Sequence, residues 1–181
     1  PVTTGFPTVD YFISAELLEP PDAPNYYSEK LIRLPNLGIS IQPPQLPEVE
    51  RRRSDWNLWE DGIIYLSCQS LFKYLPQYDI IYGEIARRVP RSQFVFMSHW
   101  NSEITEQFSD RLYAAFRHLG LDAEDYCIFL PRLNYSDYLQ LHRLVDIGLD
   151  TFQFTGFATT LSSSILIQQW GFAGIDITLI I

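Results

Sequence analysis

The hydrophobic positions fall into two textures along the chain, and the change comes near residue 60. From there on, short continuous apolar runs recur: GIIYLSC (62–68), QFVFMS (93–98), DYCIFL (125–130) and VDIGLD (145–150). Runs of this length without alternation fit strands covered on both faces, as in a parallel sheet. Between them the period lengthens to that of a helix. YDIIYGEIARRV (78–89) places Ile81, Ile85 and Val89 four apart, ends on Arg87 and Arg88, and is stopped by Pro90. NSEITEQFSDRLYAAFRHLG (101–120) sets Ile104, Phe108, Leu112, Ala115 and Leu119 on one stripe, with Ser102 as cap and Gly120 as terminator. SDYLQLHRLV (136–145) reads as a third helix, capped by Ser136 or Asn134. The first two strand-to-strand intervals, about thirty residues each, match the spacing of βαβ units. With right-handed crossovers the expectation is an α/β chain carrying a Rossmann-like parallel sheet.

The first 55 residues differ. Nine of the twelve prolines lie within residues 1–47, and proline removes a backbone donor that helices and central strands need. This stretch reads as extended and looping, with VDYFIS (9–14) as one buried strand and YYSEKLIRL (26–34) as a short helical or extended piece. ERRRSDWNLWE (50–60) reads either as a solvated charge run or as the crossing into the next unit.

Composition narrows the function. With 46% hydrophobic and 15% aromatic residues over 181 positions the chain is globular. A formal charge of −9 disfavours a broad phosphate-backbone surface, so nucleic acid is not an expected partner. Cys68 and Cys127 each sit in an apolar run, which suits reduced thiols and a cytoplasmic setting. AGIDITLII is too short to span a bilayer, no signal-peptide pattern is present, and no membrane partner is expected. The chain opens on Pro1 and its single methionine is Met97, so it reads as a piece of something longer.

Candidate chemistry gathers at two strand ends, the places where an open parallel sheet binds ligands. After VDIGLD comes TFQFTGFATT: Gly156 lets backbone approach an anion, while Thr159 and Thr160 offer hydroxyls and amides at a helix start. A plain N-cap is the competing reading. After the 62–68 run comes QSLFKYLP, where Lys73 is the only lysine after residue 30 and Gln69, Ser70 and Tyr74 flank it. One cation and several donors on a shared rim suit a diphosphate leaving group; a solvated turn lysine is the alternative. His99, His118 and His142 show no metal-ligand spacing, so no metal is expected. Neither GxSxG, a P-loop nor GxGxxG occurs.

The succession PVTTGFPTVDYFISAELLEP, YYSEKLIRLPN, SLFKYLP, RRVPRSQFVF and VDIGLDTFQFTG resembles the catalytic region of O-linked N-acetylglucosamine transferases and SPINDLY-type glycosyltransferases in their bacterial form, in one order from residue 1 to about 160. The resemblance implies the second half of a GT-B glycosyltransferase: residues 1–55 ending the first catalytic domain and linking onward, and residues 56–181 forming a Rossmann-like UDP-sugar-binding domain. It implies an inverting, metal-independent transfer of a sugar, N-acetylglucosamine by analogy, from a UDP donor to Ser or Thr of proteins held by helical repeats outside this chain. No cofactor beyond the UDP-sugar substrate is implied. Lys73 falls on the family's donor-phosphate lysine and Gln69 or Ser70 on its polar neighbour. Thr159 and Thr160 fall on its paired threonines, and Asp150 on the preceding strand end. The stretch from Arg132 through Tyr135 to Tyr138 falls on the part that lines the uracil. Phe157 and Ala158 replace the polar Gly-His or Gly-Asn of relatives, and LSSSILIQQWGFAGIDITLII departs from the usual ending, as if altered or truncated. The alternative is an inactive remnant or interaction module that keeps the fold, with Trp56 and Trp59 as contact surface. A nucleotide-binding domain for another ligand is a third reading.

Overall fold

The computed structural model describes residues 3–40, 44–45, 51–152, 156, 160, 166–167 and 169–172. Thr159, Phe157, Ala158 and most of the 161–181 tail lie outside the described residues. The chain divides into two compact units, residues 1–42 and 43–181.

In the first unit β1 (Tyr11–Ala15) pairs in parallel with β2 (Lys30–Leu34), Tyr11 opposite Lys30 and Ala15 opposite Leu34. The segment around residues 26–34 therefore resolves to extended rather than helical. The strand expected to be buried is not: Tyr11 is 60% and Ile13 65% exposed, and of β1 only Ala15 is fully covered. Successive side chains of a strand point to opposite faces, and the short crossover between β1 and β2 covers one of them. Two carboxylates are buried here. Glu19 accepts from Ser14 Oγ at 2.6 Å and Tyr27 OH at 2.8 Å. Glu29 accepts from Thr3 Oγ1 at 2.6 Å, the Thr4 amide at 2.7 Å and Thr4 Oγ1, and these donors hold its pKa down to about 2.

The second unit carries the expected α/β layer. A five-stranded, all-parallel sheet runs in the order β5-β4-β3-β6-β7, from β3 (Ile63–Ser67), β4 (Ser92–Met97), β5 (Cys127–Leu130), β6 (Ile147–Asp150) and β7 (Gln169–Phe172). The helices α1 (Asp79–Arg88), α2 (Ser102–His118) and α3 (Tyr135–Leu144) occupy the connections. Alternation along β3 and β4 feeds two cores. Tyr65, Phe94 and Phe96 pack with Tyr82 of α1 and Phe108, Leu112 and Phe116 of α2. Ile64, Leu66 and Val95 pack on the other face with Leu141 of α3, Leu58 and Ile167. Burial on both faces explains why these strands read as unbroken apolar runs.

The helix stripes sit slightly off their expected lines. On α1 the buried face is Tyr82, Ile85 and Ala86, with Ile81 half-buried; on α2 Phe116 is fully buried, whereas Ala115 and Leu119 are half-buried. A strict four-residue step overshoots the 3.6-residue turn, so the face drifts by about 40° per step. Gly83 lets the helices approach, since a Cβ there would lie 2.7 Å from Leu119 Cδ1. Capping also differs: Asn101, not Ser102, caps α2 by accepting from the Glu103 amide at 3.0 Å. Of the two caps expected for α3, Asn134 is the one used, accepting from the Asp137 amide at 2.9 Å. Gly120 closes α2 at φ +73°, the left-handed conformation glycine adopts without strain.

Part of the 50–60 charge run is structural rather than solvated. Arg53 spans both Asp146 oxygens at 2.8 Å and donates to the carbonyls of Leu144 (2.9 Å), Trp59 (3.2 Å), Glu60 (3.2 Å) and Gly62 (3.0 Å). Asp146 in turn accepts from the Ile64 amide at 2.8 Å, so the guanidinium fixes the entry of β3 beside β6.

Candidate functional site at the switch point of the sheet

β3 is the first strand of the sheet, and the chain adds β4 and β5 on one side of it, then β6 and β7 on the other. The crevice beyond the carboxyl ends of β3 and β6 is therefore the topological switch point, where ligands of open α/β sheets bind. Residues 67–74 meet residues 150–152, Gly156 and Thr160 there.

The first segment is riveted to the sheet by a buried phenol. Tyr74, 5% exposed, donates its hydroxyl to the Ser67 carbonyl at 3.0 Å and accepts from the Gln69 amide at 3.2 Å. Burial pushes its pKa well above that of an ordinary tyrosine, so the phenol stays protonated and keeps both bonds. Residues Leu71–Lys73 then make one 3-10 turn, which returns Lys73 toward Gln69.

The polar side chains form a chain of contacts. Lys73 Nζ donates to Gln69 Oε1 at 3.1 Å, and Gln69 Nε2 donates to Asp150 Oδ1 at 3.1 Å. Gln69 thus has its oxygen toward a cation and its amide hydrogens toward a carboxylate, the arrangement its dipole favours. Asp150 is 1% exposed at the end of β6. Besides Gln69 it accepts from the Thr151 amide at 2.8 Å, from the Gly156 amide at 3.3 and 3.4 Å, and from Thr160 Oγ1 at 2.9 Å. A buried carboxylate ringed by donors holds Thr151, Gly156 and Thr160 at the end of β6 and ties them to the lysine loop.

Next to this chain opens a cavity of about 460 Å³, walled by residues 68–72 after β3, residues 97–100 after β4, and Arg132, Leu133 and Tyr138. Gln69, Ser70, Arg132 and Tyr138 of the sequence-derived site line it. No carboxylate is among its described lining residues, and Arg132 brings a positive charge. That polarity suits an anion despite the acidic chain. Lys73 does not line the cavity. It lines instead a smaller cleft with Tyr78, Thr151 and Phe152. Asp150, Gly156 and Thr160 are joined to the cavity through Gln69, whereas Tyr135 stands 68% exposed on the first turn of α3 and lines neither space. Thr159 falls outside the described residues.

The cavity also recruits residues that the sequence did not assign to the site: Cys68 after β3, and Met97, His99 and Trp100 at the end of the β4 run. Trp100 is 78% exposed and its ring lies 5.1 Å from that of His99. The SHW end of the β4 run was their signal, because that run ends at the same edge of the sheet as β3. His142, fully buried on α3, is another omission. Its Nδ1 donates to the Tyr138 carbonyl at 2.7 Å, and burial pushes its pKa down to about 4. Among the described residues no group of three or more His, Cys, Asp or Glu is placed to hold a metal ion. None of their helices is long and apolar enough to cross a membrane.

No family model matches the chain. It is similar to the probable UDP-N-acetylglucosamine–peptide N-acetylglucosaminyltransferase SPINDLY of Arabidopsis thaliana, 31% identical over 163 residues, 90% of this chain and 17% of that protein. It is also similar to the probable transferase SEC of the same plant, 28% identical over 165 residues, 88% of this chain and 16% of that protein. Among solved structures, a variant of the Thermobaculum terrenum O-GlcNAc transferase superposes with a TM-score of 0.69 at 22% identity. That match covers 97% of this chain and 32% of the other, and it establishes the fold. The chain therefore spans about a sixth of the length of the curated relatives it matches. It is a relative, over that stretch, of the O-GlcNAc transferases of the SPINDLY and SEC type.

Proposed function

We propose that this chain is the donor-binding part of a protein O-glycosyltransferase. It takes a UDP-sugar, N-acetylglucosamine by the names of its relatives, and supports transfer to Ser or Thr of acceptor proteins. The observation that carries the reading is the Lys73–Gln69–Asp150 chain, which couples a cation to the 150–160 segment beside a cavity at the switch point.

In this reading the nucleoside occupies the cavity near Arg132 and Tyr138, and the diphosphate extends past Gln69 and Ser70 toward Lys73, Gly156, Thr159 and Thr160. The acceptor hydroxyl oxygen attacks the anomeric carbon in line, its proton passing to solvent water. The bond to the diphosphate oxygen breaks with inversion, and UDP departs carrying the new negative charge. Neutralising that charge is the work of Lys73, held by Gln69, and of amides and hydroxyls of the 156–160 segment, with no metal required. Asp150 is a positioning residue. The Pro-rich residues 1–55 close the first catalytic domain, residues 56–181 form most of the second, and acceptors are gripped by helical repeats outside this chain. The setting is cytoplasmic, in keeping with Cys68 and Cys127 standing outside any disulfide.

Calorimetric titration with UDP, using uridine as control, tests this. A cation-to-phosphate hydrogen bond contributes about 1.5–3 kcal/mol, so Lys73→Ala weakens UDP by about 10- to 150-fold. Uridine binding should stay within about two-fold, since it has no phosphate to lose. Equal weakening of both ligands refutes the role of Lys73. Absence of UDP binding by a folded chain favours the remnant that keeps the fold alone.

A further inference from the structure

We infer that the last turns of α3 carry a second anion site, for a phosphate-type oxyanion, at the end of the sheet opposite the donor cavity. The inference goes beyond the donor-binding reading and does not rest on it.

α3 runs from the end of β5 to the start of β6, so its first turn lies at the carboxyl ends of the strands and its last turn at their amino ends. Tyr138 lines the cavity already described, whereas Gln140, Arg143 and Leu144 line a separate cavity of about 160 Å³ together with Arg51. A water in the liquid takes about 30 Å³, so this space matches about five waters. It admits a tetrahedral oxyanion and is too small for a nucleoside.

Three donor groups border the space. Gln140 is 5% exposed, and its Oε1 accepts from the Arg51 amide at 2.6 Å. Only the oxygen of a carboxamide can meet a backbone N–H, so the orientation is fixed and Nε2 is left over. That nitrogen has no partner among the described residues and is not sealed in the interior, so its hydrogens are offered to the cavity. Arg51 is held in place on one side only. Its Nε donates to Asp137 Oδ1 at 3.0 Å and its guanidinium lies 6.0 Å from the Trp56 ring, while its terminal N–H groups have no partner among the described residues. Arg143 is exposed and makes no ion pair among the described residues.

The surrounding negative charge is already answered. No carboxylate is among the described lining residues. Asp137 is taken by Arg51 and by Asn134 Nδ2 at 3.0 Å, and both oxygens of Asp146 are taken by Arg53. Arg53 also donates to the Leu144 carbonyl at 2.9 Å, which offsets the negative end of α3. One guanidinium charge, a second fork with spare donors and a buried carboxamide with spare hydrogens therefore face one small space. Three donor groups match the oxygens of a phosphate better than the two of a carboxylate.

Two-dimensional NMR of the whole folded chain, titrated with inorganic phosphate at constant ionic strength, is the test. It is read at the Gln140 side-chain amide and the Arg51 backbone amide, with acetate as the control anion. Both signals should shift and saturate at about millimolar phosphate, and acetate should bind about ten-fold or more weakly. Arg143→Gln, a change at an exposed side chain, should weaken phosphate about ten-fold or more in a chain whose circular dichroism is unchanged. N-acetyl-O-phosphoserine amide, titrated alongside, separates the two sources of the group: the tighter binder shows whether the site takes a phosphorylated side chain or the free ion, and either supports it. No saturable shift at the two signals overturns the site, as does parent-like phosphate binding in the folded Arg143→Gln chain. Acetate binding as tightly as phosphate overturns the ligand class. The experiment contains no UDP, so its failure leaves the donor-binding reading standing, and loss of UDP binding leaves this site standing.

Discussion

Asp150→Ala is the perturbation that most directly probes the site's construction. The carboxylate is 1% exposed and receives hydrogen bonds from the Gln69 side chain, the Thr151 and Gly156 amides and the Thr160 hydroxyl, at 2.8 to 3.4 Å. Alanine withdraws the acceptor from all of them at once. A hydrogen bond to a charged acceptor contributes about 1.5–3 kcal/mol, and bonds sharing one carboxylate are far from additive, so the loss is about 3–5 kcal/mol. Asp150→Asn keeps an oxygen in the Oδ1 position for Thr151, Gln69 and Gly156, and Thr160 can turn to accept from the new amide. Its loss should be only about 1–2 kcal/mol. For a unit of this size each kcal/mol moves the melting temperature by about 3 °C, so alanine lowers it by about 10 °C and asparagine by about 5 °C. Thermal unfolding followed by circular dichroism reads both. An alanine variant melting within about 2 °C of the parent chain would show that the carboxylate does not hold the 150–160 segment. Asparagine no better than alanine would show that the bonding geometry, and not only the charge, has been misassigned.

Two further perturbations address the frame around the site. Burial holds His142 near pKa 4, against 6.5 for an unperturbed imidazole. Between those values the unfolded chain binds a proton that the folded chain does not. Its contribution is therefore fully present above pH 6.5 and is lost as the pH falls toward 4, about 3 kcal/mol over the window. Urea midpoints measured across that window should fall for the parent chain and fall less for His142→Phe; identical slopes would refute the assignment. Arg53→Lys keeps the charge but cannot reproduce the paired contacts to Asp146 together with the carbonyls of Leu144, Trp59, Glu60 and Gly62. A loss of about 2 kcal/mol with an unchanged urea m-value is expected, and a loss below about 0.5 kcal/mol would return Arg53 to the solvated charge run.

The sequence by itself determined the local grammar of the second unit. Apolar runs marked β3 through β6, helical spacing marked α1 to α3, and Gly120 and Pro90 ended helices where they stood, because these signals depend on neighbours a few residues away. Gln69, Lys73 and Asp150 were legible as polar groups at strand ends. Their partnership was not: Gln69 and Asp150 are 81 positions apart, and only the pairing of β3 with β6 sets them 3.1 Å from one another. The same long-range pairing put Arg53 on Asp146, 93 positions away, turning part of a charge run into a structural clamp. It also put the β4 end with His99 and Trp100 into the cavity wall, while Tyr135 was left outside. Helix caps divided along the same line. The choices of Asn101 over Ser102 and of Asn134 over Ser136 depended on where each helix began. Local propensity thus specified the elements, and strand order, a property of contacts distant in sequence, decided which of their polar residues share a site.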